Sequence, residues 1–508
     1  MAVMLVSGCF WDKDDDDTPD IYKKIEITLG NIEKQSIGPG TVIEVAVNSG
    51  SYKILNITAE KGVVSGIESK KFYYTAPQSG LSDKIKIEYK DSENNLYTGE
   101  YEVELLNNIT FMIYMGAQNN LGTNGFAGDD LKEIKKAGVN QSNKNINILV
   151  YLDIDGINNG LFLYDGNESE GIKINGEVIT GFKKLDYYGS GNTGTESELR
   201  GFLDYVSANF KSENYLLDMW SHGDGWRNYD LNTKRLISKS IIDDKGSGDT
   251  MNMFEVESAI KNSGLGYIDV LYFDACLMGG IESLYQLKDI TKYIVASPEL
   301  TPGEGGEYKG IISKINNKSG INSYDISKNI VDANWNYYYK SNLKDECWAV
   351  VFAVYDQSKI IELVDKIKNA MSAVEADTQL VSKIKQDKGV LCYSADSYNY
   401  NVDTIYCDIG DFFRKADEYN TLLNNDLNIS NSIYQLETAI SQYVIYMKKQ
   451  TGRYYLGSNM YYNDEDNSTG LSFYMDMASM SGSFYNEYKT ATTFGGFDWV
   501  QSFHNKFY

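Results

Sequence analysis

The sequence predicts an α/β fold, a mostly parallel sheet flanked by helices, preceded by an all-β, immunoglobulin-like sandwich. Three observations predict it. From about Ile109 onward, short apolar runs alternate with helical patterns, the grammar of buried parallel strands with helices on both faces. Before that point, apolar and polar residues alternate over short segments broken by Gly, Asn, Ser and Pro. At 508 residues the chain is also too long for one ordinary domain.

The elements follow in order. Residues 1–20 combine an apolar stretch ending in Ser-Gly-Cys9 with the acidic run Asp14-Asp-Asp-Asp17. The former resembles the lipobox of bacterial lipoproteins, so Cys9 is the expected lipidation site, and the latter reads as a tether. The basic start of an export signal is missing. Residues 21–107 hold the alternating runs Lys24–Thr28, Thr41–Val47, Lys84–Tyr89 and Tyr101–Leu105, read as half-buried strands of the sandwich. Residues 108–345 carry the apolar strand runs Ile109–Met115, Asn147–Asp153, Tyr215–Trp220, Ile268–Phe273 and Tyr293–Ala296. Helices are expected between them at Glu196–Phe210, Phe254–Asn262 and Leu277–Leu287. Residues 346–508 resume with a strand at Cys347–Tyr355 and helices at Ser358–Val374 and Ser432–Lys449, and they end with a strand at Leu471–Met475.

Composition narrows the function. The net charge is −24, which argues against nucleic acid, whose phosphates need a basic surface. No stretch reaches the roughly 20 apolar residues that span a bilayer, so a membrane is met only through a lipid anchor. Five cysteines are present. Cys347, Cys392 and Cys407 read as buried thiols, with a Cys392–Cys407 bridge left open as the alternative in an oxidising compartment.

One pairing stands out. His222, one of only two histidines, lies in Trp220-Ser-His-Gly-Asp-Gly-Trp226, and Cys276 lies in Phe273-Asp-Ala-Cys-Leu-Met-Gly279. Each follows a strand run, and ligands of open parallel sheets sit beyond the carboxyl ends of the strands. A thiol is a weak nucleophile until an imidazole takes its proton. The glycines beside His222 leave backbone N–H groups free to meet a carbonyl oxygen, and the N–H groups of Gly223 and Cys276 are the candidate oxyanion hole. A helix starting at Leu277 would add its N-terminal dipole to the thiolate. His504 has no such setting.

These two strings resemble the clostripain family of cysteine peptidases, within the caspase–gingipain group. The likeness extends to Phe111–Met115, Asp129–Leu131, Ile148–Asp153, Asp243-Asp244, Ser297–Gly303, Tyr406–Phe412 and Gly470–Tyr474, and so covers the chain from about Ile109. It implies a caspase-like catalytic sheet and a His222/Cys276 dyad that hydrolyses peptide bonds through an acyl-enzyme. It implies cleavage after Arg or Lys, read by Asp274 and by a second acid, for which Glu307 is the match and Glu304 the competitor. Gly306 and Glu307 depart from the family's usual aromatic and Asp, which weakens the specificity more than the chemistry. The resemblance also implies an inactive precursor cut between the two motifs, with Lys234 or Arg235 as the site. It implies assistance by calcium in some members, although the chemistry needs no cofactor. Protein or peptide substrates follow, at the bacterial cell envelope or surface. The alternative is a non-catalytic surface-binding lipoprotein that retains the fold.

Overall fold

The computed structural model describes residues 23–28, 35–37, 42–68, 70–77, 82–139, 146–154, 159–167, 169–187, 189–226, 228–230, 235–237, 241–316, 321–339, 348–387, 389–393, 406–456, 459–463, 465–476 and 485–508. Cys9, Lys234 and Cys347 fall outside them.

The first body is a two-sheet sandwich. Lys23–Thr28, Val42–Asn48, Lys71–Thr75 and Val63–Ser65 form one four-stranded sheet. Gln35–Ile37, Leu96–Leu105, Ser82–Lys90 and Lys53–Ala59 form the other. The period-2 pattern explains the packing: in Val42–Asn48 every second side chain is buried. Ile43, Val45, Phe72, Tyr74, Ile85 and Ile87 close the core between the sheets. At roughly 1.5–3 kcal/mol for each large apolar side chain buried, these inward rows are what hold the two sheets together. Only Leu106 stands between the last sandwich strand and the next element, and its own N–H donates to the carbonyl of Ile37 (2.9 Å).

That next element opens a nine-stranded sheet. Its strands, in chain order, are β1 (Asn107–Gly116), β2 (Ile146–Asp153), β3 (Gly160–Tyr164), β4 (Phe182–Lys184), β5 (Ser212–Trp220), β6 (Ile268–Asp274), β7 (Thr291–Ala296), β8 (Val350–Asp356) and β9 (Val444–Gln450). The spatial order is β4-β3-β2-β1-β5-β6-β7-β8-β9. The five central strands, β2 to β7 in that order, run parallel, and the two at each edge run antiparallel. Helices bury both faces of the centre, so all eight residues of β2 are buried. Two apolar cores result, one on each face.

Two expectations need correction, one on a helix and one on a pair of cysteines, while the late strand forms as expected. The apolar run Ser432–Lys449 is not one helix: the helix Leu427–Tyr443 ends there, and Val444–Gln450 continues as edge strand β9 against β8. Val444-Ile-Tyr suits a pleated surface better than a helix, and the pairing decides it. The late strand, Ser472–Tyr474, lies outside the large sheet and pairs with Tyr406–Asp408, which in turn pairs with Cys392–Tyr393. That small sheet sets Cys392 opposite Cys407, and the two form a disulfide rather than two free thiols.

Candidate active site

Three neighbouring central strands, β1, β5 and β6, end side by side. Trp220 pairs with Met115 on one flank and with Asp274 on the other. His222 lies two residues past Trp220, and Cys276 lies two residues past Asp274. Adjacent strands are about 4.8 Å apart, so the sheet delivers both residues to one rim. Their backbones touch there, because a Cβ built on Gly223 would lie 2.5 Å from the carbonyl oxygen and 3.1 Å from the nitrogen of Cys276.

The histidine loop is held from several sides. Ser221 Oγ donates to the carbonyl of Gly116 (2.9 Å) and accepts from the N–H of Asp243 (3.2 Å). Gly223 forms an isolated bridge with Ile241. Gly225 takes φ +64°, open to glycine without strain, and the Tyr406 hydroxyl donates to the carbonyl of Asp224 (2.7 Å). Trp220 Nε1 donates to the buried Asp130 carboxyl (2.8 Å). The imidazole Nε2 of His222 lies 2.7 Å from Asn120 Oδ1. Burial lowers the His222 pKa, opposed by Asp243 and assisted by Lys245, so the ring is neutral at pH 7.

The cysteine is engaged by the segment after β7. Its sulfur accepts from the Thr301 N–H (3.2 Å) and donates to the Thr301 carbonyl (3.6 Å). Burial pushes the thiol up to about 12, the Thr301 N–H opposing and the Glu299, Asp224 and Asp274 charges adding. No hydrogen bond joins it to His222 among the described residues. The expected helix from Leu277 is also absent: the helix runs only over Ile281–Gln286, five residues after the thiol, so its dipole does not start at Cys276. The reason is long-range pairing. Leu277 N–H donates to Glu299 (3.1 Å) and Gly279 N–H to Ser297 (2.9 Å), while Leu277 adopts φ +62°. Such a conformation costs a non-glycine residue on the order of 1–3 kcal/mol and persists where the surroundings over-determine it.

Asp274 closes β6 and is buried, accepting from Gly306 N–H (2.7 Å) and the Tyr308 hydroxyl (3.1 Å). Burial pushes it up to about 6, against those hydrogen bonds. The loop 301–307 therefore folds across it. Glu304 is exposed on this loop. Glu307 turns away to the N–H of Gly310 (2.8 Å) in the first turn of the helix Tyr308–Asn316. Arg235 opens the short strand Arg235–Ile237, which pairs antiparallel with Asn228–Asp230.

Four contributors escaped the sequence reading: Asn119, Asn120, Asp130 and Thr301. Asn119 and Asn120 follow the end of β1, so the strand-end rule that picks out His222 and Cys276 applies to them equally. Asp130 and Thr301 lie in the segments Asp129–Leu131 and Ser297–Gly303 that carry the family likeness, but the likeness gives them no role, and their contacts with Trp220 and Cys276 are far along the chain. His504 is fully buried among Tyr474, Tyr485, Tyr488 and Tyr508. Among the described residues no group of three or more His, Cys, Asp or Glu side chains could hold a metal ion, so the calcium expectation acquires no ligand set. Nor, among them, is any helix long and apolar enough to cross a membrane.

Comparison with known proteins bears on the same region. The model of the clostripain family matches residues 113–502. Clostripain of Hathewaya histolytica is 28% identical over 262 residues, 46% of this chain and 48% of the relative, so the chain spans about half the length of the curated relative it matches. A secreted C11 cysteine protease of Bacteroides thetaiotaomicron, solved with an irreversible peptide inhibitor, superposes with TM-score 0.56 at 20% identity, over 78% of this chain and 99% of that one. An inactive zymogen C11 protease of Parabacteroides distasonis gives TM-score 0.56 at 20% identity, over 78% and 97%. At such identities the two structures speak for the fold.

Proposed function

The chain belongs to the clostripain family of cysteine peptidases, and we propose that it is an endopeptidase whose chemistry is carried by His222 and Cys276. The observation that carries this is the register: two residues past paired positions on β5 and β6, an imidazole and a thiol stand on one sheet rim. The Cys276 sulfur attacks the scissile carbonyl carbon while His222 takes the thiol proton, and the former carbonyl oxygen becomes an oxyanion. The N–H groups of Gly223 and Cys276 receive it, and losing one such donor typically costs on the order of 3 kcal/mol. The His222 proton passes to the leaving amine as the C–N bond breaks. Water then attacks the thioester, giving up a proton to His222, and the carboxylic acid leaves as the thiol re-forms. The neutral state of both groups at rest supports a general base rather than a standing thiolate–imidazolium pair.

The substrates we propose are proteins or peptides with Arg or Lys before the cut bond. A buried carboxyl at Asp274, beside the thiol, supports this, since a carboxylate suits a guanidinium or ammonium. Glu304, on the loop 301–307 that crosses Asp274, would add to the field at the rim. Glu307, engaged in its helix turn, would act through its charge alone. Internal cleavage at Lys234 or Arg235 remains our proposal for activation, supported by the position of Arg235 at the mouth of a short hairpin between the two motifs. Export, with lipidation at Cys9, is supported by the Cys392–Cys407 disulfide, which suits an oxidising compartment. We propose residues 21–107 as a spacer or binding module and residues 108–345 and 346–508 as the two parts of the peptidase region.

The test is hydrolysis of Arg- and Lys-amide reporter peptides, with labelling by an acyloxymethyl ketone bearing Lys. Wild type cleaves and is labelled at Cys276, and Cys276→Ala does neither. Hydrolysis that survives Cys276→Ala overturns the reading, and a wild type already cut between the two motifs that neither cleaves nor reacts is a binding protein on the same fold.

A further inference from the structure

We infer that Asn120 is the positioning residue of the active-site imidazole: its carboxamide oxygen holds Nε2–H of His222 and leaves Nδ1 bare as the base for Cys276. The inference rests on the peptidase reading above. Its observation is the 2.7 Å contact between Nε2 and Oδ1. A carboxamide oxygen only accepts, so the ring nitrogen facing it carries the hydrogen, and in a neutral imidazole the other nitrogen is then a free acceptor. A dyad that works by general base catalysis needs that tautomer. The opposite one presents an N–H to the thiol and cannot take its proton.

The fold supplies Asn120 as deliberately as it supplies the dyad. Three consecutive strands of the sheet, β1, β5 and β6, end in the spatial order Asn120, His222, Cys276. Asn119 fixes its neighbour: its Oδ1 caps the turn Asn120–Thr123 by accepting from Leu121 N–H (2.9 Å). Its Nδ2 donates to the carbonyls of Gly116 (3.0 Å) and Asp243 (2.9 Å) and to Ser221 Oγ (3.2 Å). One side chain thus ties the end of β1, the histidine loop and the segment bridged to Gly223. The turn is pressed against β1, since a Cβ at Gly122 would lie 2.0 Å from the Ala117 carbonyl oxygen. Asn120 itself is exposed apart from its contact with the ring, so its side chain serves no core. The charged groups that act on the ring are Asp243 and Lys245, of opposite sign, and neither fixes which nitrogen bears the hydrogen.

Two histidines in 508 residues make the test direct. Protein labelled with ¹⁵N in the histidine rings gives two pairs of ring signals, assigned by loss of one pair in His222→Ala. The expected spectrum at pH 7.5 has His222 as the Nε2–H tautomer in wild type. In Asn120→Ala that preference is lost, kcat falls at least about tenfold and KM stays within about twofold, as expected for a positioned proton carrier. Asn120→Asp restores the acceptor, recovers much of kcat, and moves the acidic limb of the kcat/KM profile up by about one pH unit, because a carboxylate favours imidazolium. Thermal midpoints of both variants stay at the wild-type value. A wild-type His222 in the Nδ1–H form, or an Asn120→Ala enzyme with unchanged kcat and pH profile, overturns the role of Asn120. Activity that persists in Cys276→Ala overturns the peptidase reading instead, so the two failures are told apart.

Discussion

Gly223 has no space for a methyl group. A Cβ there would meet the Cys276 carbonyl oxygen at 2.5 Å and the Ala275 Cβ at 2.9 Å, and backbone atoms cannot rotate away. Gly223→Ala must therefore part the two loops that hold His222 and Cys276. The expected outcome is a fall in kcat/KM of about 100-fold or more on an Arg-amide reporter, the scale of one lost oxyanion donor, with the unfolding free energy lowered only by the roughly 1–3 kcal/mol typical of overpacking. Near wild-type kinetics would mean that the loops yield and that Gly223 N–H is not used. This residue was legible from the sequence, since His-Gly-Asp-Gly beyond a strand run announces an open turn. Asn120 was not, because nothing in Gln118-Asn-Asn-Leu marks the second asparagine as the one that faces a histidine 102 residues away.

The element that governs the resting thiol is the segment 297–301, which runs from the end of β7 beneath the Cys276 loop. Its carbonyls at Ser297 and Glu299 take the N–H groups of Gly279 and Leu277, and Thr301 clasps the sulfur on both sides. The thiol, pushed up to about 12, is neutral at pH 8. Iodoacetamide should then alkylate Cys276 in the substrate-free protein at least about 100-fold more slowly than in the urea-unfolded chain, because the thiolate is the reactive species. The rate is read by mass spectrometry of the Cys276 peptide. Equal rates would reveal a standing thiolate and sink the general-base order of events. At this scale the sequence succeeded where the pattern was local. The strand runs around β1, β2, β5 and β6 sit within a few residues of their observed bounds. It failed at the start of the expected helix, Leu277–Gly280, where backbone pairing with Ser297 and Glu299 overrules it, and at Val444, where pairing with β8 converts a helix-like run into a strand. It failed again at Cys392 and Cys407, which become partners only once the intervening chain returns one strand against the other.

At the scale of the whole molecule, the C-terminal helix Asp498–Phe507 buries a histidine completely among aromatic rings. Among the described residues neither ring nitrogen of His504 has a hydrogen-bond partner, and burial lowers its pKa to about 3. The sign follows from that depression. Above pH 6.5 both states are neutral there, whereas below it the unfolded chain gains a proton that the folded one refuses until about pH 3. Folding should lose about 2 kcal/mol from this group between pH 7 and pH 5. Urea unfolding of wild type and His504→Phe at the two pH values measures it, and identical losses in both proteins would refute it. The fold class was legible at this scale too, as was the order of its parts; how tightly those parts are joined was not. Leu106, hydrogen-bonded and alone between the sandwich and the large sheet, leaves the junction no slack. Any load placed on the sandwich would therefore reach the first strand of the large sheet through one peptide unit, with no linker to absorb it.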